Sequence, residues 1–177
     1  MSISSYYQKH FWKINFSFLF IFSVICLTSA FIIDKYLGFD PCILCIYARV
    51  PYFVILFLSF IGLIFYTREK VRSIMLQLIT LSVIVGAAIA IYHTGVERDW
   101  WNPTINCSPT IDMGKDMNLE DFLNQIDKAP IGDCSKPAIR LLGLSLAEIN
   151  IIINFLLLSI LIKLIKINAA SNKEDNS

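Results

Sequence analysis

Four long stretches without charged side chains constrain this sequence more than any other feature. Asp, Glu, Lys and Arg are absent from the ranges 14–33, 50–66 and 73–93, while the range 141–162 contains only Glu148. A helix needs about 20 apolar residues to span a bilayer, and lipid offers no partners for irregular backbone. The sequence therefore predicts four transmembrane helices, at about 14–33, 43–66, 73–93 and 143–164.

Composition supports the same class. The chain has 177 residues, of which 56% are hydrophobic and 16% are charged. In soluble domains about 45–50% of the residues are apolar and about 25% are charged. We predict an all-α membrane protein, a single four-helix domain over residues 1–177. Four buried helices of a soluble protein are the alternative, and four runs of full membrane length disfavour it. The net charge of +1 gives no reason to expect a nucleic-acid partner.

Charged residues are divided unequally between the two sides of the predicted bundle. One side carries eight Lys and Arg residues and three acids, and the other carries six Lys and Arg residues and ten acids. The positive-inside rule then predicts that both termini are cytoplasmic, including a tail at 165–177. The loops at about 34–42 and 94–142 would lie on the outer side, which is the periplasm in bacteria.

The longer outer loop contains one predicted helix. Asn118 is a suitable N-cap residue, and apolar residues follow with helical spacing at Leu119, Phe122, Leu123 and Ile126. This spacing predicts a two-turn amphipathic helix. It would lie on the membrane surface or pack against the loop itself.

Four of the five cysteines lie on the predicted outer side. Cys26 falls within the first predicted helix, where we expect it to act as a small hydrophobic residue. Cys42, Cys45, Cys107 and Cys134 face an oxidising compartment, where disulfides are expected. Four cysteines allow three connectivities. The C-x-x-C spacing favours a Cys42–Cys45 pair and leaves Cys107 with Cys134, although the resting connectivity stays open.

The residues around the C-x-x-C motif suggest redox chemistry. Asp40 and Pro41 are predicted as N-cap and first residue of the second helix, so Cys42 would lie in its first turn, where the helix dipole lowers a thiol pKa. Arg49 lies four residues after Cys45, on the same helical face. We expect Arg49 to stabilise a Cys45 thiolate and to hydrogen-bond a carbonyl oxygen of a lipid-soluble acceptor. The alternative is that Arg49 only extends to the lipid headgroups.

A C-x-x-C motif can also bind zinc, but we expect no metal here. Neither His10 nor His93 has a ligand spacing to the cysteines. Two cysteine pairs on one small membrane protein instead predict a thiol relay. One pair would meet a soluble protein, the other a membrane oxidant, and disulfide exchange would connect them.

Several segments together resemble one known family. They are 41–51 (PCILCIYARVP), 92–97 (YHTGVE) leading into Trp100 and Trp101, Cys107, and Cys134 followed by 142–147 (LGLSLA). The combination is similar to DsbB, the disulfide-bond formation protein of the bacterial inner membrane, over residues 10 to 165. Ala48 departs from the pattern, because many members have Gln or Glu there.

The resemblance implies a thiol oxidase mechanism. A reduced DsbA-like periplasmic protein would attack Cys107 of a Cys107–Cys134 disulfide, and Cys134 would then attack Cys42 of a Cys42–Cys45 disulfide. Cys45 would be released as a thiolate beside a bound ubiquinone or menaquinone, which leaves as quinol. Disulfide bond formation in exported proteins would depend on this activity.

The resemblance also implies a quinone site. The site would comprise Arg49, His93, Glu97 and Leu44. The alternative for His93 and Glu97 is a pair that only caps the helix or lies at the membrane interface. The vitamin K epoxide reductase family is a related alternative, but 41–51 and 92–97 favour DsbB. A second related alternative is a DsbB paralogue dedicated to one substrate. A non-enzymatic scaffold braced by two disulfides is the alternative of a different class, and it would not need Arg49 beside Cys45.

Overall fold

The structure is a computed structural model, and it describes residues 3–36, 38, 41–102, 134–135, 140–141 and 143–175. Cys107 and the predicted helix at 118–126 lie outside these residues. The elements in chain order are helices α1 (Ile3–Tyr36), α2 (Ile43–Phe65) and α3 (Glu69–Glu97), strands β1 (Arg140–Leu141) and β2 (Leu144–Ser145), and helix α4 (Leu146–Asp175). The two strands form an antiparallel hairpin with Arg140 opposite Ser145. The predicted all-α class is confirmed.

Each of the four described helices contains a segment long and apolar enough to cross a membrane. These segments are His10–Tyr36, Ile43–Phe65, Glu69–Glu97 and Leu146–Ala170, with mean hydropathy between 2.1 and 2.5. The predicted spans fall within these segments apart from residue 66 and residues 143–145. Helices α1 and α4 extend further than predicted, to Ile3 and Asp175. The apolar run defines only the part of a helix that suits lipid, and a helix can continue into water beyond it.

Apolar residues occur both inside the bundle and on its outer surface. The core contains Phe16 of α1, Ile55 of α2, Ile79 of α3 and Leu161 of α4, each at most 1% exposed. Large apolar side chains also point outward, and Phe57 is 65% exposed. Consecutive helices pack against each other, α1 on α2, α2 on α3 and α3 on α4. Helices that are apolar all round suit a protein surrounded by lipid.

Polar contacts tie the helices together at both ends of the bundle. At the end that carries the α2–α3 turn, buried Arg72 donates from Nε to Asn168 Oδ1 at 2.6 Å and lies 4.7 Å from the Trp12 ring centroid. At the other end, which we call the cysteine end because Cys42, Cys45 and Cys134 lie there, Ser145 and Glu148 form a capping box. This box fixes where α4 begins.

Candidate active site

Cys42 itself caps the N-terminus of α2. Its backbone is extended, with φ −70° and ψ 162°, and its Sγ accepts a hydrogen bond from the backbone N–H of Cys45 at 3.2 Å. The helix begins at Ile43, so Pro41 precedes it. The predicted cap at Asp40, a residue outside the described ones, is therefore wrong. The Cys42 sulfur takes the N–H that an Asp side chain would otherwise satisfy.

Cys42 and Cys45 form a thiol pair. Their Sγ atoms are 2.8 Å apart, with the Cys42 thiol donating to Cys45. This hydrogen bond, together with burial, raises the pKa of Cys42 to about 12 and outweighs the lowering effect of His93. The predicted lowering of the Cys42 pKa is therefore wrong, because Cys42 is 5% exposed and desolvation disfavours a thiolate. The Cys42 thiol therefore keeps its proton, and the Cys45 sulfur accepts the hydrogen bond.

His93 joins this pair from a distant part of the sequence. Its Nε2 lies 3.5 Å from Cys42 Sγ and 3.5 Å from Oε1 of Glu97, one helical turn further along α3. Both side chains are 7% exposed. The side-chain ligand atoms of Cys42, Cys45 and His93 lie within 4.8 Å of one another. Sequence spacing did not predict this grouping, because packing of α2 against α3 creates it.

Arg49 is held by a carboxylate of α1. Its Nη1 and Nη2 donate to the two carboxylate oxygens of Asp34 at 2.5 and 2.9 Å, and its guanidinium carbon lies 5.6 Å from the Phe31 ring centroid. The side chains of Arg49 and Asp34 are 16% and 18% exposed. Asp34 was not predicted as a site residue from the sequence. The one sequence feature that marks Asp34 is its position as the acidic residue directly after the first apolar run.

A cavity of about 230 Å³ lies beside Cys45. Helices α1, α2 and α4 supply mostly apolar walls, and His93 contributes from α3. The polar side chains and the thiols on its walls are Cys26, Ser29, Asp34, Cys45, Arg49, Tyr52, His93 and Asn150. The structure thus brings Cys45, Arg49 and His93 to one cavity.

Leu44 and Glu97, which the family resemblance grouped with Arg49, do not line this cavity. Leu44 is 3% exposed and packs against Cys42, and it lines a separate apolar groove between α2 and α3. It points away because neighbouring residues on a helix face different directions. Oε1 of Glu97 lies 3.5 Å from Nε2 of His93, which in turn lies 3.5 Å from Cys42 Sγ.

Cys134 is buried next to the C-x-x-C pair. It is 0% exposed and belongs to one cluster of buried residues with Cys42, Leu44 and Val96, against which Cys45 is also packed. A cysteine from the long α3–α4 connection is therefore packed at the start of α2. Its predicted partner Cys107 lies outside the described residues.

Comparison with known proteins decides the family. Residues 13–164 match the family described as disulfide bond formation protein DsbB. The chain belongs to the DsbB family. An uncharacterized protein of Rickettsia prowazekii is 32% identical over 169 residues, which are 96% of each chain. Disulfide bond formation protein B of Psychrobacter arcticus is 30% identical, with 77% of this chain and 78% of that protein aligned.

A further relative supports the same family assignment. No solved structure matches the chain. Disulfide bond formation protein B of Pasteurella multocida is 29% identical over 75% of this chain and 72% of that protein. Membership of the DsbB family and the four apolar helices identify this chain as a multi-pass membrane protein and a disulfide oxidoreductase acting in disulfide bond formation.

Proposed function

We propose that this DsbB-family protein oxidises a DsbA-like dithiol protein and passes the electrons to a membrane quinone. The observation that carries the proposal is the cavity that Cys45, Arg49 and His93 share within an apolar bundle. A thiol beside a cation, at a mostly apolar cavity, suits an acceptor that dissolves in the membrane. The two disulfides of the relay are Cys42–Cys45 and Cys107–Cys134.

The location follows from charge. With eight basic residues and three acids on the side of both termini, the positive-inside rule places that side in the cytoplasm. The cysteine end then faces the periplasm, and the protein spans the bacterial inner membrane. An extracytoplasmic compartment is where a disulfide donor is needed.

The relay consists of two thiol–disulfide exchanges. A thiolate of the reduced partner attacks Cys107 of the Cys107–Cys134 disulfide, and the second partner thiol resolves the mixed disulfide, so the partner loses two electrons. The freed Cys134 thiolate then attacks Cys42 of the Cys42–Cys45 disulfide, and Cys45 leaves as a thiolate. The freed Cys107 thiolate attacks Cys134 of the resulting Cys134–Cys42 disulfide, which restores Cys107–Cys134 and releases Cys42 as a thiol. Burial of Cys134 against Cys42 suits an internal exchange and leaves Cys107 as the residue that meets the partner.

His93 and Glu97 serve the proton transfers of the last step. Reoxidation of the Cys45 thiolate and the Cys42 thiol to a disulfide releases two electrons and one proton, because the Cys42 thiol must lose its proton as its sulfur bonds to Cys45. The second proton of the quinol is one that the partner dithiol lost when it was oxidised. His93 Nε2, at 3.5 Å from Cys42 Sγ, accepts the proton of the Cys42 thiol. The Glu97 carboxylate stabilises the resulting imidazolium, since it lies 3.5 Å from the same nitrogen.

The residues of the cavity fit a quinone. Arg49 offers N–H donors for a carbonyl oxygen, and apolar walls suit a ring with a hydrocarbon tail. A bound quinone would accept two electrons and two protons. Arg49 and His93 would hold its ring at Cys45, and the Asp34 carboxylate would keep the Arg49 guanidinium at the cavity wall.

Trapping of the mixed disulfide tests the relay. In the Cys134→Ala variant, Cys107 has no cysteine with which to re-form its own disulfide, and its thiolate can attack the disulfide of the oxidised partner. We therefore expect a crosslink between Cys107 and a periplasmic thioredoxin-fold protein on non-reducing gels. The matched control is Cys26→Ala, which lies outside the relay and should give no crosslink. Absence of a crosslink from Cys134→Ala, with the partner still oxidised in cells lacking this protein, would reject the proposal.

A further inference from the structure

One wall of the cavity, where Tyr52 and Asn150 lie, belongs to a polar cluster that the relay does not use. Tyr52 Oη donates to Asn150 Oδ1 at 2.6 Å. Asn154 Nδ2 donates to the same Oδ1 at 2.9 Å and to the Asn150 carbonyl at 2.8 Å. Tyr52 is 7% exposed and Asn154 is 1% exposed. Three uncharged polar side chains within an apolar bundle are costly unless they serve packing or a ligand.

These hydrogen bonds determine how the Asn150 amide is oriented. Its Oδ1 accepts from two donors, which occupies both lone pairs. The remaining polar group is the Nδ2 amide, for which no acceptor lies among the described residues, and Asn150 lines the cavity. The cluster therefore presents a fixed N–H donor at the cavity wall.

The position of the cluster complements that of Cys45 and Arg49. Cys45, Arg49 and Tyr52 follow each other on α2 at intervals of four and three residues, so they share one face. With a rise of 1.5 Å per residue, Tyr52 lies about 10 Å along the helix from Cys45. A para-quinone has carbonyl oxygens on opposite edges of its ring. Donors at the two ends of the cavity can therefore each reach one oxygen.

We propose that the Asn150 side-chain amide donates a hydrogen bond to the carbonyl oxygen of a para-quinone on the edge of the ring remote from Cys45. Tyr52 and Asn154 are positioning residues, because they act by fixing the Asn150 amide. This inference rests on the proposed quinone reduction and adds the second point of attachment. A neutral donor in an apolar cavity selects a ligand with an acceptor there, because an unpaired buried donor is costly.

Gly86 makes room for this cluster. A Cβ atom at Gly86 would come within 2.9 Å of Asn154 Oδ1 and 3.3 Å of the Pro51 Cβ. Close approach of α3 thus holds Asn154 against Asn150. The amide that faces the cavity is supported from two other helices, α2 and α3.

The experiment uses the full-length protein in detergent with ubiquinone-1 as the probe and a reduced DsbA-type protein as the donor. For Asn150→Leu we expect the KM for ubiquinone-1 to rise about tenfold and kcat to stay within about twofold, because a contact made equally in ground and transition states affects KM alone. The dissociation constant of ubiquinone-1, titrated without the donor, should rise equally. Tyr52→Phe should raise KM about threefold.

The double variant Tyr52→Phe/Asn150→Leu should have the KM of Asn150→Leu alone, because Tyr52 acts through Asn150. Ser159→Ala is the matched control: Ser159 also lies on α4 but is not among the residues that line the cavity, and its hydroxyl donates to the Phe155 carbonyl at 2.9 Å. Its KM should equal that of the unchanged protein.

Unchanged KM and dissociation constant in Asn150→Leu, with quinone reduction intact in the unchanged protein, would overturn this inference and leave the relay standing. If Asn150→Leu does not fold, Tyr52→Phe takes its place, because it removes only one hydroxyl group. An unchanged KM in Tyr52→Phe overturns the inference. If the unchanged protein reduces no quinone, the proposed function fails, and titration of ubiquinone-1 alone then decides whether Asn150 binds it.

Discussion

The Nε2 atom of His93 lies 3.5 Å from the Sγ atom of Cys42, although 51 residues separate them in the sequence. This contact places an imidazole against a thiol whose pKa is raised to about 12. At neutral pH the Cys42 thiol is thus fully protonated, and His93 is the adjacent group that can take its proton.

The raised pKa of Cys42 predicts a specific pH dependence of its alkylation. Only the thiolate reacts, so the rate of reaction of Cys42 with iodoacetamide should rise about tenfold per pH unit from pH 7 to 10 without a plateau. Chains singly modified at Cys42 are counted by mass spectrometry in a protein with Cys26, Cys107 and Cys134 replaced by Ala. A plateau below pH 9 would contradict the buried, hydrogen-bonded thiol.

Two further variants separate the causes of that pKa. The hydrogen bond to Cys45 is the largest cause of the rise, so Cys45→Ala in the same background should lower the Cys42 pKa and speed alkylation at pH 8. His93 lowers the Cys42 pKa. Adding His93→Phe to Cys45→Ala should therefore slow alkylation again, and equal rates would show that His93 does not act on Cys42.

The ion pair between Arg49 and Asp34 predicts a coupled effect on stability. Arg49→Met leaves a partly buried carboxylate without its partner, which should cost about 1–2 kcal/mol. Asp34→Asn added to Arg49→Met removes that charge and should recover most of the loss. The measurement is thermal unfolding in detergent. Additive losses in the double variant would indicate that the two side chains do not interact.

Reversal of charge at Arg49 predicts a separation of the two half-reactions. Arg49→Glu should reduce the rate of ubiquinone-1 reduction at least tenfold, because a carboxylate repels the carbonyl oxygen that the guanidinium would bind. The mixed disulfide trapped through Cys107 in Cys134→Ala should form as before. Unchanged quinone kinetics would remove Arg49 from the acceptor site.

Close packing of Trp101 on Gly95 predicts a destabilised Gly95→Ala variant. A Cβ atom at Gly95 would collide with the Trp101 indole, which stacks on Tyr92 with ring centroids 6.1 Å apart. Overpacking of this kind costs about 1–3 kcal/mol, measured as a lower unfolding temperature. In a Trp101→Ala background the same Gly95→Ala change should cost little, and an equal cost there would point to another cause.

The sequence predicted what depends on short-range patterns. The apolar runs located the four helices, because helices in lipid need about 20 apolar residues. The spacing of Cys45 and Arg49 placed both on one face of α2, and both line the cavity. The cap of α2 was wrong because a sulfur replaces the expected carboxylate at the helix end.

Contacts between helices could not be predicted in this way. Asp34 meets Arg49 because α1 packs on α2, and Tyr52 meets Asn150 because the fold brings α4 to α2. The pKa of Cys42 was predicted in the wrong direction because the prediction considered only the helix dipole. The local hydrogen bond to Cys45 and the burial that tertiary packing adds outweigh that dipole.

Quinone reduction by the purified protein tests the central claim most directly. Reduced DsbA-type protein is mixed anaerobically with ubiquinone-1 and catalytic amounts of the full-length protein in detergent, and both partner thiols and quinone absorbance are followed. The account predicts one quinone reduced for each partner disulfide formed, and loss of both signals in Cys45→Ala. Oxidation of the partner without quinone reduction, or quinone reduction that persists in Cys45→Ala, would contradict it.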